Sequence, residues 1–226
     1  MVQAQGPALT TANFNYDLWL SALPVLLSAA TLTWLLSLPL RNVSIVDSLR
    51  SLMLFAAGVI YGLAADPRAP RLAFVLWLVA LWAARLSISL TARSMGKGED
   101  PQYQALRARH EPHFRWKSLY LVFWFQALAI WIVSLPLLGV FASNAPLGPL
   151  DYLGVLLWLA GFIFEAGLWR YTRYPNYFGT LCVWWGFWCM AASAGAWWSA
   201  VGPALLTWLL LAIRAANVRR NMPTTS

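Results

Sequence analysis

Seven apolar runs constrain the fold of this chain more than any other feature of the sequence. The runs are 18–40, 45–65, 71–92, 118–141, 150–166, 178–194 and 197–214. Each is a candidate for a helix that crosses a bilayer, which needs about 17–25 mainly apolar residues. The last three runs are short and rich in Trp, Gly and Ala, so tilted or partly re-entrant helices stay open for them. Only 11% of the residues are charged, whereas soluble domains carry about 25%. We therefore predict an all-α integral membrane protein, a polytopic bundle of about seven transmembrane helices.

Positive charge is divided unevenly between the loops, and this predicts the orientation. The loop 93–117 carries six Lys or Arg residues, whereas the loop 142–149 carries no charge. Because cytoplasmic loops are enriched in Lys and Arg, the first loop is expected inside and the second outside. Seven crossings then put the N-terminus outside and the C-terminus in the cytoplasm. Residues 1–17 lack Lys and Arg, so we expect the first helix not to be a cleaved signal peptide.

The same composition limits the classes of partner. No linker, repeat or low-complexity tract divides the chain, so we predict a single integral-membrane domain over 1–226. The net charge of +8 is explained by orientation and by attraction to anionic lipids. The expected partners are membrane lipids and a hydrophobic small molecule, and not nucleic acid. The expected location is a bacterial inner membrane or a eukaryotic endomembrane.

Metal chemistry has little support in the sequence. The chain has two cysteines and two histidines, and Cys182 and Cys189 both fall inside one apolar run. Cysteines in such a position are typically free, buried thiols. We therefore predict no metal site.

Two local structures follow from short spacings. Pro101 comes after a glycine-containing stretch, so it is expected to open a short interfacial helix from the first helical position. Asp47 and Arg50 are three residues apart where the second apolar run begins. On a helix these side chains share a face, which predicts an ion pair.

The stretch 167–186 is the most informative motif. It reads Gly-Leu-Trp-Arg-Tyr-Thr-Arg-Tyr-Pro-Asn-Tyr-Phe-Gly-Thr-Leu-Cys-Val-Trp-Trp-Gly. This order resembles the G-L-(W/F)-R-Y-(T/S)-R-x-P-N-Y-F-G signature of the steroid 5-alpha-reductase-like membrane proteins, and within them the DUF1295 branch. The loop 96–107 is similar to the G-x-G-E-D-x-x-Y-Q loop of that branch, and the stretch 42–47 fits as well. The resemblance covers about residues 41–211.

The resemblance implies a membrane oxidoreductase that reduces a conjugated C=C bond of a lipid or steroid-like substrate with NADPH. The cofactor-binding residues that it implies are Glu165, Arg170, Tyr171, Arg173, Asn176 and Tyr177. Arginines suit this role because they bind phosphate through charge-assisted hydrogen bonds. For the catalytic proton donor, Tyr103 and Tyr177 are the candidates. The reductases of this superfamily also use a Glu/Tyr acid pair, which the sequence alone does not locate.

Several departures from the family pattern leave other functions open. Family members carry a helix extension after the residues equivalent to Phe164-Glu165-Ala166, and in the superfamily this extension holds part of the cofactor. Here Ala166 is followed directly by Gly167, and Thr180 stands where an acidic residue is expected. A reductase with an impaired cofactor site is one reading. The alternatives are a non-catalytic membrane protein that keeps the fold and an S-adenosylmethionine-dependent methyltransferase, as in the related isoprenylcysteine carboxyl methyltransferases.

Overall fold

The computed structural model describes residues 13–66, 69–94, 98–167 and 175–220, and within these ranges it contains helices and no strands. The α-helices are α1 Tyr16–Leu40, α2 Ile45–Leu63, α3 Leu72–Ser94, α4 Pro101–His110, α5 Phe114–Ser118, α6 Phe125–Val133, α7 Leu135–Phe141, α8 Pro149–Gly167, α9 Pro175–Ser193 and α10 Val201–Arg220. A π-helical turn, Leu119–Trp124, joins α5 to α6, and a short 3-10 helix, Trp197–Ala200, precedes α10. The all-α prediction therefore holds for the described residues.

Four helical segments are long and apolar enough to cross a membrane. They are Tyr16–Leu40, Ile45–Leu63, Leu72–Ala92 and Phe114–Phe141, which coincide with the first four apolar runs. Helices α8, α9 and α10 coincide with the last three runs, but their described residues are not among these four segments. The chain is thus an integral membrane protein. The total of seven spans and the orientation of the termini stay predictions.

The fourth run differs from the single helix that its composition predicts. The helix begins at Phe114 and passes through the π-helical turn before α6. It then breaks at Ser134, and α7 begins at the next residue. Pro136 gives a physical reason for the break, because proline has no N–H to donate to the preceding helical turn.

The contacts divide the chain into two compact units, Asn15–Ser134 and Leu135–Ser226 with Met1–Phe14. In the unit Asn15–Ser134, α1 is joined to α6 by a pair of tryptophans. The rings of Trp19 and Trp131 stack with their centroids 3.7 Å apart and an angle of 9° between their planes. Each indole N–H donates to the backbone carbonyl of the other residue, at 3.4 Å from Trp19 and 2.8 Å from Trp131. These contacts fix α1 against α6 through two residues that are 112 positions apart in the chain.

Helix ends in this unit are set by local polar groups. Asn15 Oδ1 accepts a hydrogen bond from the amide of Leu18 and caps α1. Asp100 Oδ1 accepts from the amide of Gln102, at 2.8 Å, and Pro101 occupies the first position of α4. Side-chain caps of this kind satisfy amides that have no partner within the helix. The short helix predicted at Pro101 is confirmed.

In the other unit, α8 packs along α9 through glycines. A Cβ atom on Gly154 would lie 2.6 Å from the carbonyl oxygen of Gly186, and one on Gly161 would lie 2.6 Å from that of Gly179. Glycine is thus the residue that lets these two backbones approach so closely, as in many membrane helix pairs. The prediction of one integral-membrane domain stays a prediction.

Candidate functional site

Most of the predicted cofactor-binding residues fall outside the described part of the chain. This applies to Arg170, Tyr171 and Arg173. Asn176 and Tyr177 belong to the first turn of α9, but their side chains are outside the described part as well. Of the predicted site, the structure therefore describes Glu165 and Tyr103.

Glu165 lies inside the contact between α8 and α9. Its side chain is fully buried, and its Oε1 accepts a hydrogen bond from Thr180 Oγ1 at 2.5 Å. The backbone of Gly179 approaches so closely that a Cβ atom there would lie 2.5 Å from Glu165 Cγ. In this arrangement the carboxylate is enclosed by protein. Thr180, which replaces the expected acidic residue, provides the hydrogen-bond donor that a second carboxylate would lack.

Tyr103 lies next to the beginning of α2. Its hydroxyl donates a hydrogen bond to Asp47 Oδ1 at 3.0 Å, and it accepts one from Gln126 Nε2 at 3.3 Å. Arg50 Nη2 contacts the same Asp47 oxygen at 3.1 Å, which confirms the predicted ion pair. The structure thus joins a tyrosine of the 93–117 loop to an acid of the second helix. The sequence singled out both residues but gave no signal that they meet.

The surroundings of Tyr103 hold its phenol in the protonated form. Burial raises the pKa of the phenol, and the negative charge of Asp47 raises it further. Arg50 and the hydrogen bond from Gln126 act in the opposite direction and only partly offset these effects. The pKa therefore lies well above the usual value of 10.0, so Tyr103 keeps its proton at neutral pH.

A second set of contacts fixes the loop that carries Tyr103. Glu99 accepts two hydrogen bonds from the Arg107 guanidinium, at 2.9 and 2.8 Å, and a third from the amide of Val43 at 3.0 Å. The amide of Asp100 also donates to Ser44 Oγ at 2.8 Å. These bonds tie Glu99 and Asp100, directly before α4, to the turn before α2, so they position Tyr103 opposite Asp47.

The charge state of Glu99 follows from these partners. Burial raises the pKa of the Glu99 carboxyl, but the hydrogen bond from Arg107 and the one from the Val43 amide lower it more. The net result is a pKa below its usual value of 4.5. Glu99 and Arg107 are eight residues apart, a spacing that matches no helical rule, so sequence patterns could not predict the pair.

A cavity of about 380 Å³ opens beside Asp47. Its polar lining consists of three carboxylates, three hydroxyl groups and one side-chain amide, which belong to Asp47, Glu99, Asp100, Ser44, Ser48, Ser94 and Gln104. Such a lining suits a ligand group that carries a hydroxyl or a carbonyl, whereas the carboxylates repel a phosphate. The size is near the lower end of ligand cavities, which run from about 300 to 1,000 Å³.

Within the described ranges, no group of three or more His, Cys, Asp and Glu side chains is placed to hold a metal ion. Cys182 and Cys189 are both free thiols in α9.

Comparison with protein families identifies the class. The model of the family described as "Protein of unknown function (DUF1295)" matches residues 33–167 and 164–222. The chain therefore belongs to the DUF1295 family, a steroid 5-alpha-reductase-like branch of membrane proteins, which confirms the resemblance. The two matching segments overlap at residues 164–167, where the resemblance implies that a helix extension is missing. None of the curated proteins and none of the solved structures matches the chain.

Proposed function

We propose that this protein is a membrane oxidoreductase that reduces a C=C bond of a lipid or steroid-like substrate, with NADPH as the hydride donor. The hydrogen bond between Tyr103 and Asp47 carries the proposal, because it supplies a tyrosine–acid pair of the kind that reductases of this superfamily use. Membership of the DUF1295 family supports the class of reaction.

The reduction adds a hydride to one carbon of the double bond and a proton to the other. NADPH, when bound, supplies the hydride. A carbonyl conjugated to the double bond gains negative charge as the hydride adds, and the phenol of Tyr103 stabilises that charge by donating a hydrogen bond and then its proton. The resulting enol shifts the proton to the second carbon, and Tyr103 regains a proton from water. Arg50 offsets the negative charge that remains at Asp47 and Tyr103.

The described residues do not by themselves fit the phosphates of a dinucleotide beside this pair. The adjacent cavity is lined by the carboxylates of Asp47, Glu99 and Asp100, and Glu165 is enclosed between helices. The arginines of the signature, Arg170 and Arg173, are the groups that would hold the phosphates. The missing helix extension removes further charged contacts, so we expect NADPH to bind more weakly than in relatives that carry it.

Two hydrogen bonds favour a second function, a non-catalytic membrane protein that retains the fold. The single hydroxyl proton of Tyr103 is directed at Asp47, and the Glu165 carboxylate is occupied by Thr180. Both groups are thus satisfied within the protein. In that case the pair would serve only to hold α4 against α2.

The test compares the parent protein with Tyr103→Phe and with the control Tyr120→Phe. Tyr120 is 51% exposed, so removal of its hydroxyl should leave activity unchanged. Each protein is reconstituted in lipid with NADPH and a panel of lipid and steroid enones, and products that have gained two hydrogens are measured by mass spectrometry. We expect Tyr103→Phe to reduce the rate by about a hundredfold or more.

Two outcomes count against the proposal in different ways. Equal product from the parent and Tyr103→Phe would remove Tyr103 from the reaction. Absence of product from every protein, with no rise in the melting temperature on addition of NADPH, would favour the non-catalytic function, since a ligand that binds the folded state must stabilise it. A rise with S-adenosylmethionine alone would favour a methyltransferase.

A further inference from the structure

A second cavity, of about 630 Å³, is lined in part by Arg107, the ion-pair partner of Glu99. It is formed where α1 ends and where α5 begins. Phe114 contributes an aromatic ring to the lining. The polar part of the lining consists of three arginines and two serines, Arg41, Arg107, Arg115, Ser37 and Ser118. The lining contains no carboxylate. Its chemistry is therefore opposite to that of the cavity beside Asp47.

The three arginines differ in whether a nearby acidic group balances their positive charge. Glu99 balances the charge of Arg107 and holds its guanidinium 4.7 Å from the centre of the Phe114 ring. Arg41 and Arg115 are exposed, and the described residues place no acidic group within 4.0 Å of either. The cavity thus has two positive charges that the described part of the protein does not neutralise.

The serines do not compete for an anion. Ser37 Oγ donates to the carbonyl of Trp34 at 2.7 Å, and Ser118 Oγ donates to the carbonyl of Arg115 at 2.9 Å. Because each hydroxyl proton is directed at a backbone carbonyl, the donors that remain in the lining are those of the arginines. A guanidinium presents its N–H groups in a planar arrangement that matches the oxygens of a phosphate.

The surface beside the cavity is apolar and exposed. Leu36 and Leu40 at the end of α1 are each 62% exposed, and Trp116 in α5 is 67% exposed. In a protein that crosses a membrane, such side chains face lipid, and an exposed tryptophan is typical of the level of the headgroups. Basic cavities at this level are typical sites for anionic headgroups.

We propose that the cavity lined by Arg41, Arg107 and Arg115 binds a phosphate group, and that the headgroup of an anionic phospholipid supplies it. Arg41 and Arg115 provide the charge, and Arg107, held by Glu99, forms a further part of the lining. The acyl chains then lie along the exposed apolar residues of α1 and α5. The lining contains none of the residues 165–177, to which the cofactor is assigned. A nucleotide is the other kind of molecule that could supply a phosphate group to this cavity.

The experiment measures binding of short-chain phosphatidylglycerol to the full chain in neutral detergent at fixed ionic strength. The variants are Arg41→Asn and Arg115→Gln, and the matched control is Arg109→Gln, which removes an equal charge from an exposed position of α4 outside the lining. Asparagine is chosen because Arg41 has a φ of 49°, and asparagine tolerates this left-handed conformation. Short-chain phosphatidylcholine, which has no net charge, and NADPH are titrated in parallel.

We expect each cavity variant to weaken the binding of phosphatidylglycerol about tenfold or more, because each removes a charge-assisted bond. Arg109→Gln should change it less than about twofold, as expected for a screened surface charge. If both variants weaken the binding of NADPH but not that of phosphatidylglycerol, the cavity binds a phosphate group, and the nucleotide rather than the lipid supplies that phosphate. Affinities for both probes that match those of the Arg109→Gln control would overturn the proposal.

Discussion

The hydroxyl of Tyr103 lies 3.0 Å from Oδ1 of Asp47, although 56 residues separate them in the chain. The contact depends on the loop before α4, because Glu99 and Asp100 bond to the turn that precedes α2. The position of Tyr103 therefore depends on Glu99 and Asp100, whose bonds hold the loop in place, and not only on Asp47. A change in the loop should alter the pair without touching either member.

The charge of Asp47 should influence the acidity of Tyr103 directly. We expect Asp47→Asn to lower the pKa of the phenol, because a neutral amide no longer opposes its ionisation. The pKa should still exceed the usual 10.0, since burial, the larger cause, remains. NMR titration of protein labelled at tyrosine Cζ would measure the shift. Asp17→Asn, at the first turn of α1, is the control, and an equal pKa in both variants would contradict the expectation.

The Glu99–Arg107 pair should make stability depend on acid pH. The pKa of Glu99 is lowered in the folded state, so the stabilisation is present above the usual value of 4.5 and is lost as the pH falls through the lowered value. Glu99→Gln should therefore reduce the free energy of unfolding at pH 7 by about 1–3 kcal/mol. The difference from the parent should shrink as the pH falls below about 4.5. A difference that stays constant down to pH 3 would show that the charge of Glu99 is not responsible.

Close packing of α8 on α9 should make Gly161 intolerant of a side chain. The added Cβ of Gly161→Ala would lie 2.6 Å from the carbonyl of Gly179, so the helices must separate. We expect a loss of about 1–3 kcal/mol, the usual cost of overpacking. Gly98→Ala is the control, because no heavy atom lies within 4 Å of its Cβ position. Unfolding of both variants in mixed detergent would provide the comparison, and equal stabilities would refute the packing argument.

The hydrogen bond from Thr180 to Glu165 can be tested with an isosteric change. Thr180→Val removes the donor and keeps the shape, so it should reduce the free energy of unfolding by about 1–3 kcal/mol, the cost of depriving a buried acceptor of a partner. Thr33→Val is the matched control, because the Thr33 hydroxyl donates to the carbonyl of Ala29 in its own helix. A smaller effect at Thr180 than at Thr33 would mean that the bond contributes little.

The predicted orientation calls for a labelling experiment. In a protein without its native cysteines, a cysteine at Arg109 should react with an impermeant thiol reagent from the cytoplasmic side only. A cysteine at Ala142 should react from outside only. Both positions are exposed, so reactivity reports the side of the membrane. The opposite pattern would reverse the orientation.

Features that depend on neighbouring residues could be predicted from the sequence. The length of the apolar runs located the helices, the proline at 101 located the start of α4, and the three-residue spacing of Asp47 and Arg50 predicted their ion pair. Each of these features is determined by residues within one or two helical turns of one another. The local sequence is therefore sufficient to predict them.

Features that depend on tertiary contact could not be predicted in this way. No local pattern predicts that Tyr103 contacts Asp47, or that Glu99 accepts from the Val43 amide, because these contacts join segments that are far apart in the chain. The hydrogen bond from Thr180 to Glu165 joins two helices in the same way, and the role of Glu165 at a cofactor stays a prediction. The burial of a carboxylate depends on which helix packs against it, and the sequence of α8 alone does not predict that helix.

The stacked pair of Trp19 and Trp131 has a consequence for the order in which the protein is made. The two residues are 112 positions apart, and ribosomes add about 5–20 residues per second. Trp131 is therefore synthesised roughly 6–22 s after Trp19. During that interval the indole of Trp19 meets lipid, water or the insertion machinery instead of Trp131. The joining of α1 to α6 is thus a late event of biogenesis, and a chain truncated before residue 131 can never complete it.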